Sequence, residues 1–221
     1  MKYAIREIGE SRSFPKGDPF LAGATEDADV VVCLGAFRAP KEDLADEARK
    51  AVLVELDAEC LGAHTGEHAG EEGSNVVGVA RYRNGDDAPS DLVEVVRQPN
   101  TDAASVDAAK QVFAAAGFTV VICGDQAGRI IDRLVRPKYN AALRFLDEGL
   151  ASASDMDLTC KLGLGYADGP IERIERGGLA RHYEITQALF EVYGSPGYAP
   201  ARRAHVAHQR VARRGRPRED N

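Results

Sequence analysis

"FTVVICGDQAGRIIDRLVRPKYNAALRFLDEGLAS", Phe118 to Ser152, changes its period partway through. Up to Gly124 it is a short Val/Ile run ended by glycine, the pattern of a strand. Beyond Asp125, Ile130, Leu134, Tyr139, Ala142, Leu143 and Leu146 recur at helical spacing. Pro137 lies inside that run, and the spacing predicts a helix kinked there rather than ended. The stretch is a border, with strands before it and helices after it.

Upstream, five more β-type runs begin at Lys2, Asp29, Ala51, Asn75 and Leu92. Several are continuously Val-rich, as expected of strands covered on both faces. Two runs are joined to the next by helical stretches. "APKEDLADEARKA" places Pro40 near a helix start with acidic residues in its first turn. "TDAASVDAAKQVFAAAGF" offers Thr101 or Asp102 as N-cap and Gly117 as terminator. Strand–helix–strand twice over predicts a parallel, wound α/β sheet. Downstream, "SDMDLTCKLGLG" and "GPIERIERGGLARHYEITQALFEVYG" read as helices. The predicted organisation is an α/β part over residues 1–124, an all-α part over 125–200 and a basic tail over 201–221.

Between the last helices, "KLGLGYADGPIERIERGGL" (Lys161–Leu179) packs five glycines into nineteen residues. A dinucleotide cradle needs G-x-G-x-x-G directly after a strand and opening a helix. Here a helix precedes the glycines, so the stretch reads as a structural helix–turn–helix corner.

The chain's 221 residues carry 29% charged and 44% apolar side chains and no Trp, the profile of an ordinary globular protein. No apolar run approaches the roughly 18 residues of a membrane span, and the N-terminus shows no secretory pattern. Cys33, Cys60, Cys123 and Cys160 form no C-x-x-C pair, which predicts reduced thiols and a cytoplasmic setting. The net charge of −7 hides an acidic front and an Arg-dense end. That end reads as a solvated helix, and the acidic body argues against nucleic acid.

The order of words from "LVEVVRQPNTD" through "VVICGDQAGRIIDRL" to "DMDLTCKLGLGYADGP" resembles the 3-hydroxyacyl-CoA dehydrogenases, over about Leu92 to Pro200. The resemblance implies a Rossmann-like domain feeding an all-α domain. It also implies NAD, an acyl-CoA substrate and a dimer formed largely through the helices. In the family a His acts as base, oriented by a Glu in the L-V-E-V-V strand. Glu94 matches that Glu, but Ala80 stands where the His belongs and Asn84 where a Pro belongs. Asp132 matches the family's Asn at the start of the long helix, and no Ser near "DAECLG" matches the family's Ser. The segment after "YAIREIG" holds no G-x-G-x-x-G. The chain is similar to the second half of longer members, whose Rossmann part is shortened and poor in glycine. The resemblance therefore implies a protein of acyl-CoA metabolism degenerate in its NAD site and base, with no cofactor assigned. Its expected role is to bind acyl-CoA or to pair with itself or a related dehydrogenase subunit.

Other readings stand beside this one. An active oxidoreductase would use Asp132 or a loop His as base. The plainer reading of Asp132 is an ion pair with Arg129, Arg133 or Arg136. Arg81 and Arg83 alternate on a strand and read as solvent-facing, or as new partners of Glu94. "HTGEH" from His64 spells the H-x-x-E-H of some zinc peptidases, but glycines at 62, 66, 70 and 73 oppose the helix it needs.

Overall fold

The computed structural model describes residues 1–35, 44, 46–66 and 74–214. They form two compact units: Met1–Arg83 with Ala88–Ile130, and Asn84–Asp87 with Ile131–Asn221.

In the first unit, strands β1 (Tyr3–Glu7), β2 (Val30–Leu34), β3 (Ala51–Glu55), β4 (Val76–Arg81), β5 (Leu92–Arg97) and β6 (Thr119–Gly124) form one sheet. All six runs read from the sequence are strands. Their spatial order follows their chain order, β1 to β6. The sheet is not wholly parallel, because β5 runs against β4. The ten residues Tyr82–Asp91 between those two strands are too few for a parallel crossover and leave an antiparallel return.

Helix α3 (Ala103–Ala115) covers one face, where Val106, Ala109, Val112 and Phe113 pack on the odd-numbered valines of β4 and β5. Asp102 precedes α3 as expected, although its side chain makes no capping bond, and Gly117 ends the turn at φ +89°. Phe14 and Phe20 complete this layer. Phe20 lies in the four-residue helix α1 (Pro19–Ala22), whose first turn Asp18 caps. The opposite face is covered by the segment after β3, with Leu56 and Leu61 over Val54, Val76 and Val96. That segment includes the short helix α2 (Gly62–Thr65). The helix expected over "APKEDLADEARKA" lies largely outside the described residues.

The second unit consists of α4 (Ile131–Asp147), α5 (Ala153–Leu164), α6 (Pro170–Gly177), α7 (Leu179–Tyr193) and α8 (Arg202–Arg214). Helix α4 runs on through Pro137. The expected long helix from Gly169 is two helices, broken at Gly178 with φ +84°. The unit's core gathers Tyr139, Leu143, Ile171, Ile174 and Ala204. The Arg-dense end is helical as far as Arg214, and α8 itself buries only Ala204.

The glycine-rich corner is structural, for a reason visible at atomic level. Asp157 of α5 accepts from the N–H groups of Ile171 (2.8 Å) and Glu172 (3.0 Å), capping the first turn of α6. A Cβ on Gly169 would lie 2.2 Å from the Asp157 Cβ and Cγ. Glycine is required there so that one helix can approach the capping carboxylate of the other. Gly165 ends α5 in the left-handed conformation at φ +70°.

Candidate functional site

Side chains alternate across a strand, so even-numbered residues of β4 and β5 share the face opposite α3. Ala80 and Glu94 are both on it, paired across the antiparallel β4–β5 ladder. Both are buried. A base on β4 oriented by Glu94 would have to occupy position 80, and a methyl group is there.

Glu94 is engaged elsewhere. Its Oε1 accepts from the Ile130 N–H at 2.9 Å, and its Oε2 faces the Arg129 Nε at 3.4 Å. Arg129 is therefore an ion-pair partner of Glu94, while Arg81 pairs with Asp18. Arg129 is buried, holds φ +48° and donates through Nη2 to the Asp57 carbonyl. Only a few per cent of residues other than glycine take positive φ, so the turn after β6 is shaped to deliver this guanidinium. Nearby, burial foremost and the Glu94 charge next push the Cys123 thiol up to about 11. That cysteine stays protonated and poorly nucleophilic at neutral pH.

Arg81 does not face solvent. Its Nη1 meets Asp18 Oδ2 at 2.6 Å, both side chains are buried, and the guanidinium stacks on Phe118 and Phe14. This is an internal strut of the first unit.

Asp132 pairs with Arg136, Oδ1 to Nε at 2.7 Å, one helical turn away on α4. Arg136 Nη1 continues to His182 Nδ1 at 3.2 Å, so that nitrogen accepts. His182 Nε2 then donates to Asn140 Oδ1 at 3.0 Å. Asn140 donates to Thr186 and to the Gly197 carbonyl. Burial first, and the Arg136 charge second, lower the His182 pKa to about 3. These side chains form a satisfied polar core of the second unit, and Asp132 enters it as an anchor for Arg136.

The H-x-x-E-H word is only partly described, since Glu67 and His68 lie outside the described residues. His64 belongs to α2, which ends at Gly66 with φ +80°. Its Nε2 lies 3.1 Å from Glu59 Oε1. Among the described residues no three His, Cys, Asp or Glu side chains group as metal ligands.

Where a Rossmann-like sheet receives a dinucleotide, the described residues of this chain pair with one another. Such ligands bind outside the carboxyl ends of strands, where the strand order reverses. Among the described strands there is no reversal. At the ends of β1 and β2, the Ile8 and Gly9 N–H groups donate to the Leu34 carbonyl. A Cβ on Gly35 would fall 2.3 Å from the Gly9 carbonyl carbon. The backbone N–H groups of Arg12, Ser13 and Gly35 all point at the Glu55 carboxylate. A pyrophosphate needs free N–H donors at a helix start, and these residues do not fit it.

Glu94 and Asp132 are legible in the sequence, whereas the pairing of Arg129 with Glu94 and the roles of Glu55 and His182 are not. The signal for Glu55 is a lone carboxylate inside the apolar run "AVLVEL". No sequence pattern points Arg129 to Glu94 rather than to Asp132, because that pairing depends on a turn conformation.

Residues 128–217 match the family model described as 3-hydroxyacyl-CoA dehydrogenase, C-terminal domain. Human mitochondrial hydroxyacyl-coenzyme A dehydrogenase is 38% identical over 88 residues, covering 40% of this chain and 28% of that protein. A 3-hydroxybutyryl-CoA dehydrogenase of Bradyrhizobium diazoefficiens is 33% identical over 110 residues, covering 50% of this chain and 38% of that protein. The chain thus matches between 28% and 38% of these relatives' own length. The crystal structure of Mycobacterium tuberculosis FadB2 superposes on 84% of this chain and 67% of its own, with TM-score 0.69 and 19% identity. That likeness is one of fold: a Rossmann-like sheet followed by helices. Residues 128–217 thus match the C-terminal domain of the 3-hydroxyacyl-CoA dehydrogenases.

Proposed function

We propose that this chain is a dehydrogenase-family protein of acyl-CoA metabolism that has lost hydride transfer through the family's usual site. Its role is to bind acyl-CoA or to serve as a dimerising partner. The observation that carries the reading is the pairing of Glu94 with Ala80, the carboxylate being held instead by Arg129 and the Ile130 N–H. Hydride transfer from a secondary alcohol needs a group to take the hydroxyl proton. An alanine cannot take it, and a guanidinium does not deprotonate in proteins. The closed strand ends at Gly9, Gly35 and Glu55 support the same reading from the cofactor side.

The partner we assign is a second copy of this chain, through α5. That helix buries none of its residues, and it exposes Leu158 (53%), Leu162 (79%) and Leu164 (62%). Leu158 and Leu162 lie one turn apart on one face, and an exposed apolar stripe of this kind marks an interaction surface. The setting we assign is cytoplasmic, supported by four cysteines that are all free thiols.

Calorimetry with NADH and acetoacetyl-CoA tests the reading. The expected result is no saturable heat from NADH and no turnover. Micromolar NADH binding accompanied by turnover would overturn it.

A second reading has one observation in its favour. The His64 imidazole, 3.1 Å from the Glu59 carboxylate, is a base with an orienting partner, displaced from β4 to the segment after β3. An active oxidoreductase of this kind would lose its rate on His64→Ala.

A further inference from the structure

Glu55, the last residue of β3, is completely buried, and both its oxygens accept hydrogen bonds. Oε1 takes the Ser11 hydroxyl at 2.9 Å, the Arg12 N–H at 3.0 Å and the Ser13 N–H at 2.7 Å. Oε2 takes the Gly35 N–H at 2.7 Å. Among the described residues no cation pairs with it. Burying a carboxylate without a counter-ion is expensive unless hydrogen bonds replace its water. Here three backbone amides and one hydroxyl do so.

The donors come from two places in the chain. Ser11, Arg12 and Ser13 follow β1, and Gly35 follows β2; both strands lie in the same parallel run as β3. Convergent backbone N–H groups at the carboxyl ends of parallel strands are how α/β proteins hold phosphate and carboxylate oxygens. Gly35 can bring its amide there because its backbone, at φ +69°, lies against Gly9.

We infer that the carboxyl ends of β1, β2 and β3 form an oxyanion-binding site whose permanent occupant is the chain's own Glu55. The ligand class is a small carboxylate or comparable oxyanion. A free anion competes against a tethered one present at high effective concentration, so the wild-type chain takes none from solution. The inference deepens the proposed loss of the dinucleotide site, while its geometry stands independently.

The test is chemical rescue. Glu55→Ala removes the carboxylate and leaves the donors in place, whereas Glu55→Gln keeps the site filled. Thermal unfolding is followed for the wild type and both variants while formate or acetate is titrated against chloride at matched ionic strength. Glu55→Ala is expected to melt below the wild type. Formate should then raise its Tm logarithmically above its Kd, by roughly 3–5 °C for each tenfold increase. Wild type and Glu55→Gln should respond to formate no more than to chloride. Where Glu55→Ala does not stay folded in chloride, its refolding yield from urea in formate against chloride reads the same site. An equal response of all three proteins, or a refolding yield indifferent to formate, overturns the inference. NADH binding by the wild type would instead overturn the proposed function, so the two failures are distinguishable.

Discussion

Ala80 and Glu94 stand directly across from one another on neighbouring antiparallel strands, and the carboxylate turns away to Arg129. A buried ion pair is most costly when broken from one side, because the other charge stays buried alone. Glu94→Gln or Arg129→Met should each destabilise the first unit by about 3–5 kcal/mol in urea unfolding. The double variant Glu94→Gln/Arg129→Met should cost less than the sum of the two. Additive costs would show that the two side chains do not depend on each other.

Acid should weaken the second unit through His182. Its folded pKa is about 3 against 6.5 for a free imidazole, so below 6.5 the unfolded chain binds the proton more readily. The stabilising contribution is complete above pH 6.5 and is lost as pH falls toward 3, by about 1.4 kcal/mol per pH unit. Urea unfolding from neutral pH downward should show this slope, and His182→Gln should flatten it. By NMR the ring should not titrate near its ordinary value.

Two glycines nine residues or fewer from the α5–α6 corner should respond in opposite ways. Gly169→Ala drives a methyl into Asp157 and should cost about 1–3 kcal/mol in unfolding free energy. Gly163 lies inside α5, with nothing within 4 Å of an added Cβ. Gly163→Ala should therefore stabilise by about 0.4–1 kcal/mol.

Leu162→Glu places a charge at the most exposed apolar position of α5. Since α5 buries none of its residues, the variant should keep the wild-type Tm at low concentration and sediment as a monomer. An unchanged sedimentation profile would remove α5 from the interface.

Much of the fold was legible because valine runs and helical spacing are local properties. All six strands and the corner at Gly165–Pro170 could be read from the chain. The direction of β5 could not, since it depends on how the ten-residue Tyr82–Asp91 return folds rather than on any pattern within β5. At the site, Glu94 and the vacancy at Ala80 were visible as words in a sequence. What now holds Glu94 was not, because Arg129 reaches it through a left-handed turn and across a sheet face. Glu55 was hidden for a related reason. Its donors lie more than forty residues upstream at Ser11–Ser13 and twenty upstream at Gly35, and only the register of β1, β2 and β3 brings them together.

The helical unit includes four residues from far upstream, Asn84–Asp87. Asn84 donates to the Arg173 carbonyl, Asp87 meets Arg176 at 2.8 Å, and Gly85 has no room for a Cβ against the Arg176 carbonyl oxygen. The border between the units is therefore not a single point along the polypeptide. Severing the chain after Ile130 would leave the helices without a stitch that only the strand-bearing half can supply, so proteolysis there should yield two nicked pieces that leave a column together.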